Sequence, residues 1–363
     1  MAAVRAVAGR RLAAATSIGL AIILAAPAPA SADQHRDEQW YLQSLRIAQA
    51  HRITQGEGVT VAVIDSGVWA GHPDLKGAVL PGYNVLGKGD GREDLEGHGT
   101  GVAGIIAARG RSGNRGVLGV APAAKVLPVS PAGSPLVVAK AIDWAVEHGA
   151  KVINMSFLTA GSDGLAAAVK RAADSDVVLV GGSGNNDEVG TDSEYPAAYP
   201  EVLAVGATDR AGKVAAFSHR GPQLDLTAPG VDIAVANGDP GREYQRVEGT
   251  SVSTAIVSGA AALIRAEYPA LTAAQVVDVL ESTAVDKGDP GRDDAYGFGE
   301  LDVVGALSAA ATVAPGPTTS AEPDVIAGSR GGDEGLPRLA IAGLGVLLLA
   351  GVVIALVAGL RRR

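Results

Sequence analysis

Three residues that lie far apart in the chain, Asp65, His98 and Ser251, carry the side chains that nucleophilic serine chemistry requires. A serine hydroxyl becomes a good nucleophile when a base takes its proton, and the base needs an acid that orients it and balances its charge. Taken singly, each residue has an ordinary structural explanation, since Asp and Ser commonly cap helices and turns. Together, in the order Asp, His, Ser, they predict an acyl-transfer site.

The stretch 247–261 is the one around which this site is organised. It contains Gly249-Thr250-Ser251, followed by small, apolar and hydroxyl residues at helical spacing. This pattern predicts a buried helix with Ser251 at its N-terminal end. The first turn of a helix has unpaired backbone N–H groups and a partial positive charge. We therefore expect this helix start to stabilise an oxyanion that forms beside Ser251.

Strands and helices alternate through the body of the chain, which predicts an α/β fold with a doubly wound, mostly parallel sheet flanked by helices. The clearest strand is 58–64, a short apolar run that ends at Asp65. In such sheets ligands bind at the carboxyl ends of strands, where Asp65 and Asn185 are both expected. The other predicted elements are strands at 124–129, 151–157, 177–181 and 202–206 and helices at 101–108, 136–148 and 165–174.

The glycine-rich stretch around His98 also matches a dinucleotide-binding fingerprint, G-x-G-x-x-G, over residues 99–104. That fingerprint has to follow an apolar strand directly, whereas the polar loop 88–96 precedes it here. A tight entry turn and close helix packing explain the glycines better. We therefore expect no nucleotide site at this stretch.

Composition narrows the class of protein. The 363 residues are 47% hydrophobic and 19% charged, which provides for a large core. A formal charge of −9 argues against a nucleic-acid surface. The chain contains no cysteine, which excludes disulfides, thiolate catalysis and cysteine–metal sites but does not identify the redox compartment.

Both ends of the chain are predicted to direct it to a membrane. Residues 1–32 contain arginines, a short apolar run and a small-residue cleavage signal, which favours a secretory signal peptide over an N-terminal anchor. Residues 312–337 have the Pro, Gly and acidic composition of a flexible linker. The segment 338–360 has 22 uncharged residues from Leu339 onward, about 33 Å of helix, which favours a membrane span over a core helix. The arginines at 361–363 then place the tail in the cytoplasm and the body outside.

From Gly56 to Ala310 the chain resembles the subtilisin-like serine peptidases, or subtilases. Each matching block is short, but all of them occur in the order found in the family. The resemblance implies a peptidase domain over 56–311, after a short extension over 33–55. The blocks are Val63-Ile64-Asp65-Ser66-Gly67, His72-Pro73-Asp74-Leu75, Gly97-His98-Gly99-Thr100, Gly116-Val117-Leu118-Gly119-Val120-Ala121-Pro122, Val152-Ile153-Asn154-Met155-Ser156, Tyr195-Pro196-Ala197-Ala198-Tyr199-Pro200, Ala204-Val205-Gly206-Ala207, Phe217-Ser218, Ala228-Pro229-Gly230 and Gly249-Thr250-Ser251.

The resemblance implies a role for each site residue and a protein or peptide as the substrate. Ser251 corresponds to the nucleophile, His98 to the general base and then acid, and Asp65 to the residue that orients His98. Asn185 matches the asparagine of the family's oxyanion hole. The implied substrate-binding residues are Ser156, Phe157, Leu158 and Gly184.

The sequence departs from the family at several of these positions. Ala255 and Ile256 stand where a proline and often a histidine follow the nucleophile. Leu158 replaces a glycine that lines the primary specificity pocket, which should narrow or reshape that pocket, and segment 129–137 is shorter than its counterpart. Asp74 matches a family calcium ligand, so the resemblance leaves a calcium site possible. The loop 110–115, however, does not align cleanly with the family's other ligands, and calcium prefers six to eight oxygens. The predicted reaction requires no cofactor.

The order of segments resembles the mycosins, which are membrane-anchored subtilases of type VII secretion systems in actinobacteria. The absence of cysteine departs from that subgroup. The resemblance implies an endopeptidase at the outer face of the cell membrane, partnered by the secretion complex, with the extension packed along its body. One alternative is a scaffold component with weak or dispensable proteolysis. A secreted esterase is disfavoured, because the serine lies in Gly-Thr-Ser rather than G-x-S-x-G.

Overall fold

The computed structural model of the chain describes residues 34–94, 96–185 and 194–314. The predicted signal peptide 1–32, the predicted membrane span 338–360 and the predicted cytoplasmic tail lie outside these ranges. Within the described ranges, no helix is long and apolar enough to cross a membrane. The last described helix ends at Val313, so helix continues two residues into the range predicted as linker.

A seven-stranded sheet forms the centre of the fold, and each pair of neighbouring strands in it is parallel. The predicted α/β fold with a mostly parallel sheet is therefore confirmed. The strand order across the sheet is β2-β5-β1-β6-β7-β8-β9, while β3–β4 and β10–β11 pair separately as antiparallel hairpins. The strands are β1 (Thr60–Ile64), β2 (Tyr83–Asn84), β3 (Arg109–Arg111), β4 (Arg115–Leu118), β5 (Lys125–Ser130), β6 (Val152–Met155), β7 (Val178–Gly182), β8 (Val202–Thr208), β9 (Leu226–Pro229), β10 (Ile233–Ala236) and β11 (Tyr244–Val247).

Helices cover both faces of the sheet, and strand β1 shows how its sequence specifies this. Val61 and Val63 belong to the core under helices α4 and α7, whereas Ala62 and Ile64 belong to the core under α5 and α6, because successive side chains of a strand alternate between faces. Both faces are buried, so the apolar run is continuous. The helices are α1 (Gln34–Asp37), α2 (Tyr41–Ser44), α3 (Ile47–Ala50), α4 (His98–Ala107), α5 (Pro135–Glu147), α6 (Asp163–Asp174), α7 (Thr250–Glu267), α8 (Ala273–Ser282) and α9 (Val303–Val313).

The short N-terminal extension packs against the body of the fold. Tyr41 is fully buried in the same core as α4 and α7. Burial raises the pKa of its hydroxyl far above the usual range, so the hydroxyl stays protonated and donates to the carbonyl of Leu118 at 3.2 Å. Further side chains reach distant parts of the chain: Gln39 binds Leu118, Trp40 donates to the carbonyl of Val231, and Arg46 pairs with Asp302.

The carboxyl ends of three neighbouring strands, β1, β6 and β7, meet at one edge of the sheet. Asp65 directly follows β1, Ser156 directly follows β6, and Asn185 comes three residues after the end of β7. Because the strands are parallel, these residues are brought to a common edge although they are distant in sequence. The fold therefore places the predicted site residues where an open α/β sheet binds its ligands.

Candidate active site

Asp65 and His98 form a direct hydrogen-bonded pair. The imidazole Nδ1 lies 2.8 Å from Oδ1 of Asp65 and 3.0 Å from Oδ2. The Asp65 side chain is only 4% exposed, whereas that of His98 is 46% exposed. The backbone N–H of Ser66 also donates to Oδ1 of Asp65 at 2.7 Å. A buried carboxylate thus holds one nitrogen of an imidazole that faces the surface.

Ser251 is the second residue of α7, as the sequence predicts. The residue before the helix, Gly249, has φ of 150°, a backbone conformation that favours glycine. The Ser251 hydroxyl donates to the carbonyl of Ser156 at 3.2 Å. It lies with His98 and Asp65 around one cavity of about 420 Å³.

Asn185 lies beside the start of α7. Its Oδ1 accepts a hydrogen bond from the backbone N–H of Thr250 at 3.1 Å, which fixes the orientation of the amide group. Asn185 and Ser251 also line a second cavity of about 210 Å³, together with His98. The amide nitrogen and the backbone N–H at the helix start are donors of the type that can stabilise an oxyanion.

The two cavities share His98 and Ser251 and differ in their other lining residues. The smaller one has an apolar wall, with Glu248 also among its lining residues. The larger cavity is lined by Glu96, Phe157 and Leu158 together with Asp65. The apolar residues of the smaller cavity come from α4, α7 and the β10–β11 hairpin and are Val102, Ile105, Val235, Val247 and Val252.

Leu158 occupies space beside Gly184 in the candidate substrate-binding segment. Its Cδ1 atom lies 2.7 Å from the point where a Cβ on Gly184 would stand. Ser156 and Phe157 line the larger cavity together with Leu158. The structure therefore brings all four predicted substrate-binding residues together, and a branched side chain fills part of the space between the segments that follow β6 and β7.

Ser156 is supported by polar contacts within the core. The fully buried Asn154 donates from Nδ2 to the Ser156 hydroxyl at 2.9 Å and accepts from Ser258 of α7 at 3.0 Å. The Ser156 hydroxyl donates in turn to the carbonyl of Ser251 at 3.2 Å. These contacts tie the end of β6 to the first turns of α7. Asn154 was not predicted as a site residue, although an asparagine inside an apolar strand is costly to bury without hydrogen-bond partners and therefore indicates a polar contact.

The substitutions after Ser251 leave the helix intact. Ala255 and Ile256 are both fully buried, and α7 continues past them to Glu267. An alanine can donate its backbone N–H to the helix, which a proline cannot.

Gly101 and Gly104 in α4 pack closely against β10, where a Cβ on Gly104 would lie 3.0 Å from Cβ of Ala236. This close approach accounts for the glycine pattern without a nucleotide.

Asp74, the predicted calcium ligand, is surrounded by hydrogen-bond donors. It is fully buried and accepts from Arg111 Nε at 2.8 Å, from the backbone N–H of Val117 at 2.9 Å and from the Tyr244 hydroxyl at 2.9 Å. Calcium requires six to eight oxygen ligands, whereas this arrangement already neutralises the carboxylate with a guanidinium. The described residues contain no group of three His, Cys, Asp or Glu that could hold a metal. The residues around Asp74 therefore do not fit a calcium ion.

Comparison with known proteins agrees with this geometry. The sequence profile of the subtilase family matches residues 56–299. A thermostable alkaline protease of Halalkalibacterium halodurans is 40% identical over 258 residues, which cover 69% of this chain and 69% of that protein. Subtilisin DY of Bacillus licheniformis is 41% identical over 260 residues, which cover 69% of this chain and 92% of that protein.

A similar fold occurs among solved structures. The structure of the MycP3 protease from the type VII (ESX-3) secretion system aligns with a TM-score of 0.67 and 32% sequence identity. The alignment covers 76% of this chain and 90% of that chain.

Proposed function

Because this chain belongs to the subtilase family and is a subtilisin-like serine endopeptidase, we propose that Asp65, His98 and Ser251 are its catalytic triad. The observation that carries this assignment is the pairing of a buried Asp65 with His98 at 2.8 Å, beside Ser251 in one cavity. With the Nδ1 proton donated to Asp65, the lone pair of the neutral imidazole lies on Nε2. That nitrogen is the base that takes the proton of Ser251.

The proposed reaction has two stages. Ser251 Oγ attacks the carbonyl carbon of the scissile peptide bond while His98 takes the hydroxyl proton, and Asp65 stabilises the imidazolium that results. His98 then gives this proton to the leaving amine, which leaves an acyl-enzyme. In the second stage a water molecule gives its proton to His98 and attacks the ester, and the proton returns to Ser251 as the carboxylate product departs.

We assign Asn185 Nδ2 and the backbone N–H of Ser251 to the oxyanion that forms in each stage. The hydrogen bond from Thr250 to Asn185 Oδ1 orients the amide, which supports this assignment because a preoriented donor needs no reorganisation during the reaction. Asn185→Ala should lower kcat about 10²–10³-fold with little change in KM, a loss known for the equivalent change in subtilisin. Steady-state hydrolysis of a peptide substrate measures both constants.

A fluorophosphonate probe tests the nucleophile directly. The full-length protein in detergent is treated with the probe, and the labelled residue is identified by mass spectrometry. We expect labelling of Ser251, none in Ser251→Ala, and unchanged labelling in Ser308→Ala, a serine on α9 outside the two cavities. A folded wild-type protein that takes up no probe would contradict the triad.

We further propose that Leu158 restricts the residue on the acyl side of the scissile bond to a small side chain. The support is its close approach to Gly184, which reduces the space between the two segments. Leu158→Gly should raise kcat/KM for a phenylalanine at that position about 10–200-fold relative to alanine, the range seen when a pocket gains or loses hydrophobic volume. An unchanged Phe-to-Ala ratio would show that Leu158 does not set the preference.

Finally, we propose that residues 338–360 anchor the enzyme in the cell membrane, with the peptidase domain outside and a type VII secretion complex as its partner. The charge-free run 339–360 and the arginines that follow it support the anchor. The likeness to a protease from a type VII secretion system supports the partner. In intact cells, added protease should degrade the domain while a tag after Arg363 survives.

A deletion strain tests the partner and the scaffold alternative together. Restoration of secretion by wild type but not by Ser251→Ala supports an essential peptidase. Restoration by both would favour the scaffold.

A further inference from the structure

Helix α4, which begins at His98, has no conventional cap. The preceding residue, Gly97, has φ of 81° and no side chain with which to accept from the first N–H groups. The carboxylate of Asp94 serves instead. Its Oδ1 accepts from the backbone N–H of Gly97 at 2.8 Å and of Glu96 at 3.2 Å, and its Oδ2 accepts from Thr100 N at 2.8 Å and Thr100 Oγ1 at 2.6 Å.

The same carboxylate also binds the loop that carries Asp65. The Ser66 hydroxyl donates to Oδ1 of Asp94 at 2.9 Å and accepts from the backbone N–H of Gly99 at 3.0 Å. The backbone N–H of Ser66 donates to Asp65 Oδ1 at 2.7 Å. Asp94 and Ser66 thus connect the two segments from which the Asp65 and His98 side chains extend.

Asp94 is only 8% exposed. Burial of a carboxylate is costly unless several donors compensate it, and here five donors do so. The turn at Asn237–Gly238 closes over this site: a Cβ on Gly97 would lie 2.8 Å from Asn237 Oδ1, and one on Gly238 would lie 3.1 Å from Asp94 Oδ2. The start of α4 and the carboxylate of Asp94 are therefore closely packed against this turn.

We propose that Asp94 is a positioning residue of the peptidase, which holds the first turn of α4 and the Asp65 loop so that His98 and Asp65 keep their hydrogen bond. This inference rests on the triad proposed above. Asp94 does not touch the substrate and acts through His98. A displacement of about 1 Å in a reacting group can cost up to 10²-fold in rate. For a smaller displacement of His98 we expect about a 10-fold loss.

The test compares Asp94→Asn with wild type in the full-length protein. The amide nitrogen that replaces one carboxylate oxygen is itself a donor. It cannot accept hydrogen bonds from the surrounding N–H and O–H groups, so part of the network is lost. We expect kcat to fall about 10-fold with KM unchanged. In proton NMR, we expect the far-downfield resonance of His98 Nδ1–H to shift or broaden. The matched control is Asp302→Asn, which changes the N-cap carboxylate of α9 and should leave both readouts at wild-type values.

A second variant, Ser66→Ala, removes the hydroxyl that joins Asp94 to the Asp65 loop, together with its contact to Asp65 Oδ1 at 3.2 Å, but keeps the hydrogen bonds between Asp94 and α4. We expect a smaller fall in kcat, about 3-fold on the same reasoning, with a shifted resonance. A folded Asp94→Asn protein with wild-type kcat and resonance overturns the inference. If that variant does not fold, wild-type values in Ser66→Ala overturn it. Wild-type protein that shows no Ser251-dependent hydrolysis overturns the triad itself, whatever Asp94 does.

Discussion

Two buried aspartates in this molecule each bind a basic side chain, but their surroundings differ. Asp65 pairs with His98, whose imidazole is 46% exposed and faces a cavity shared with Ser251. Asp74 pairs with Arg111 and also accepts from Tyr244 and from a backbone N–H. The first carboxylate serves a group that can gain and lose a proton beside a substrate. The second carboxylate is surrounded by donors that keep their protons.

Arg111 and Tyr244, which donate to Asp74, keep their protons near neutral pH. Burial alone would lower the pKa of Arg111, but hydrogen bonds to Glu243 and Asp74 raise it well above its usual value. Burial and the nearby Asp74 raise the pKa of Tyr244 far beyond the neutral range. Neither group changes charge near neutral pH, so both bind Asp74 as permanent donors. A buried carboxylate thus becomes part of a reaction through the partner it orients.

The largest effect that tests this contrast is expected at Asp65. Asp65→Asn should lower kcat about 10⁴-fold, because an amide does not stabilise the imidazolium and favours the wrong tautomer of His98. The melting temperature should change little in comparison. Peptide hydrolysis and thermal unfolding of the same preparation measure the two quantities, and activity within 10-fold of wild type would remove Asp65 from the triad.

At Asp74 we expect the opposite pattern, a loss of stability with unchanged catalysis. Asp74→Asn leaves Arg111 and Tyr244 without a buried anion and should lower the free energy of unfolding by about 3 kcal/mol. The kcat of the folded enzyme should stay at its wild-type value. Urea unfolding gives the stability, and a chelator or added calcium should leave wild-type stability unchanged. A calcium-dependent melting temperature would show that Asp74 or another group binds the ion.

A smaller effect is expected at Glu281, a half-buried carboxylate that lies near the carboxylates of Asp225 and Asp278. Burial first, and then Asp225 and Asp278, raise its pKa from 4.5 to about 7. Between these values the folded state keeps a proton that the unfolded state has released, so stability falls as pH rises through this window and levels off above it.

Glu281→Gln should therefore raise stability at pH 8 by about 1 kcal/mol, a figure reduced for solvent screening, and change nothing at pH 4. Thermal unfolding of both proteins across this pH range tests the expectation. A stabilisation that is equal at pH 4 and pH 8 would contradict the raised pKa.

The sheet and its main helices could be predicted because buried parallel strands leave a continuous apolar signal. Each strand and helix predicted with bounds between residues 58 and 206 corresponds to an observed one within three residues at either end. The largest error is at α4, predicted from 101 but starting at His98. Asp94, in the polar loop before this helix, was not predicted to cap it, although the Asp94-to-Gly97 spacing suits such a contact.

Contacts between remote segments could not be predicted. The surroundings of Asp74 depend on Arg111 and Tyr244, which are separated from it by 37 and 170 positions. Nothing in the local pattern at Asp74 distinguishes a guanidinium partner from a metal ion. The family match suggested a ligand role for Asp74, and only the folded arrangement indicates that donors already surround the carboxylate.

The docking of the N-terminal extension has a consequence for the order in which the protein folds. The extension leaves the ribosome before the rest of the domain, yet Trp40 binds a carbonyl 191 residues later and Arg46 pairs with a side chain 256 residues later. These partners exist only after nearly the whole domain has been synthesised. Because such non-local contacts form slowly, docking of the extension is a late event that follows assembly of the parallel sheet.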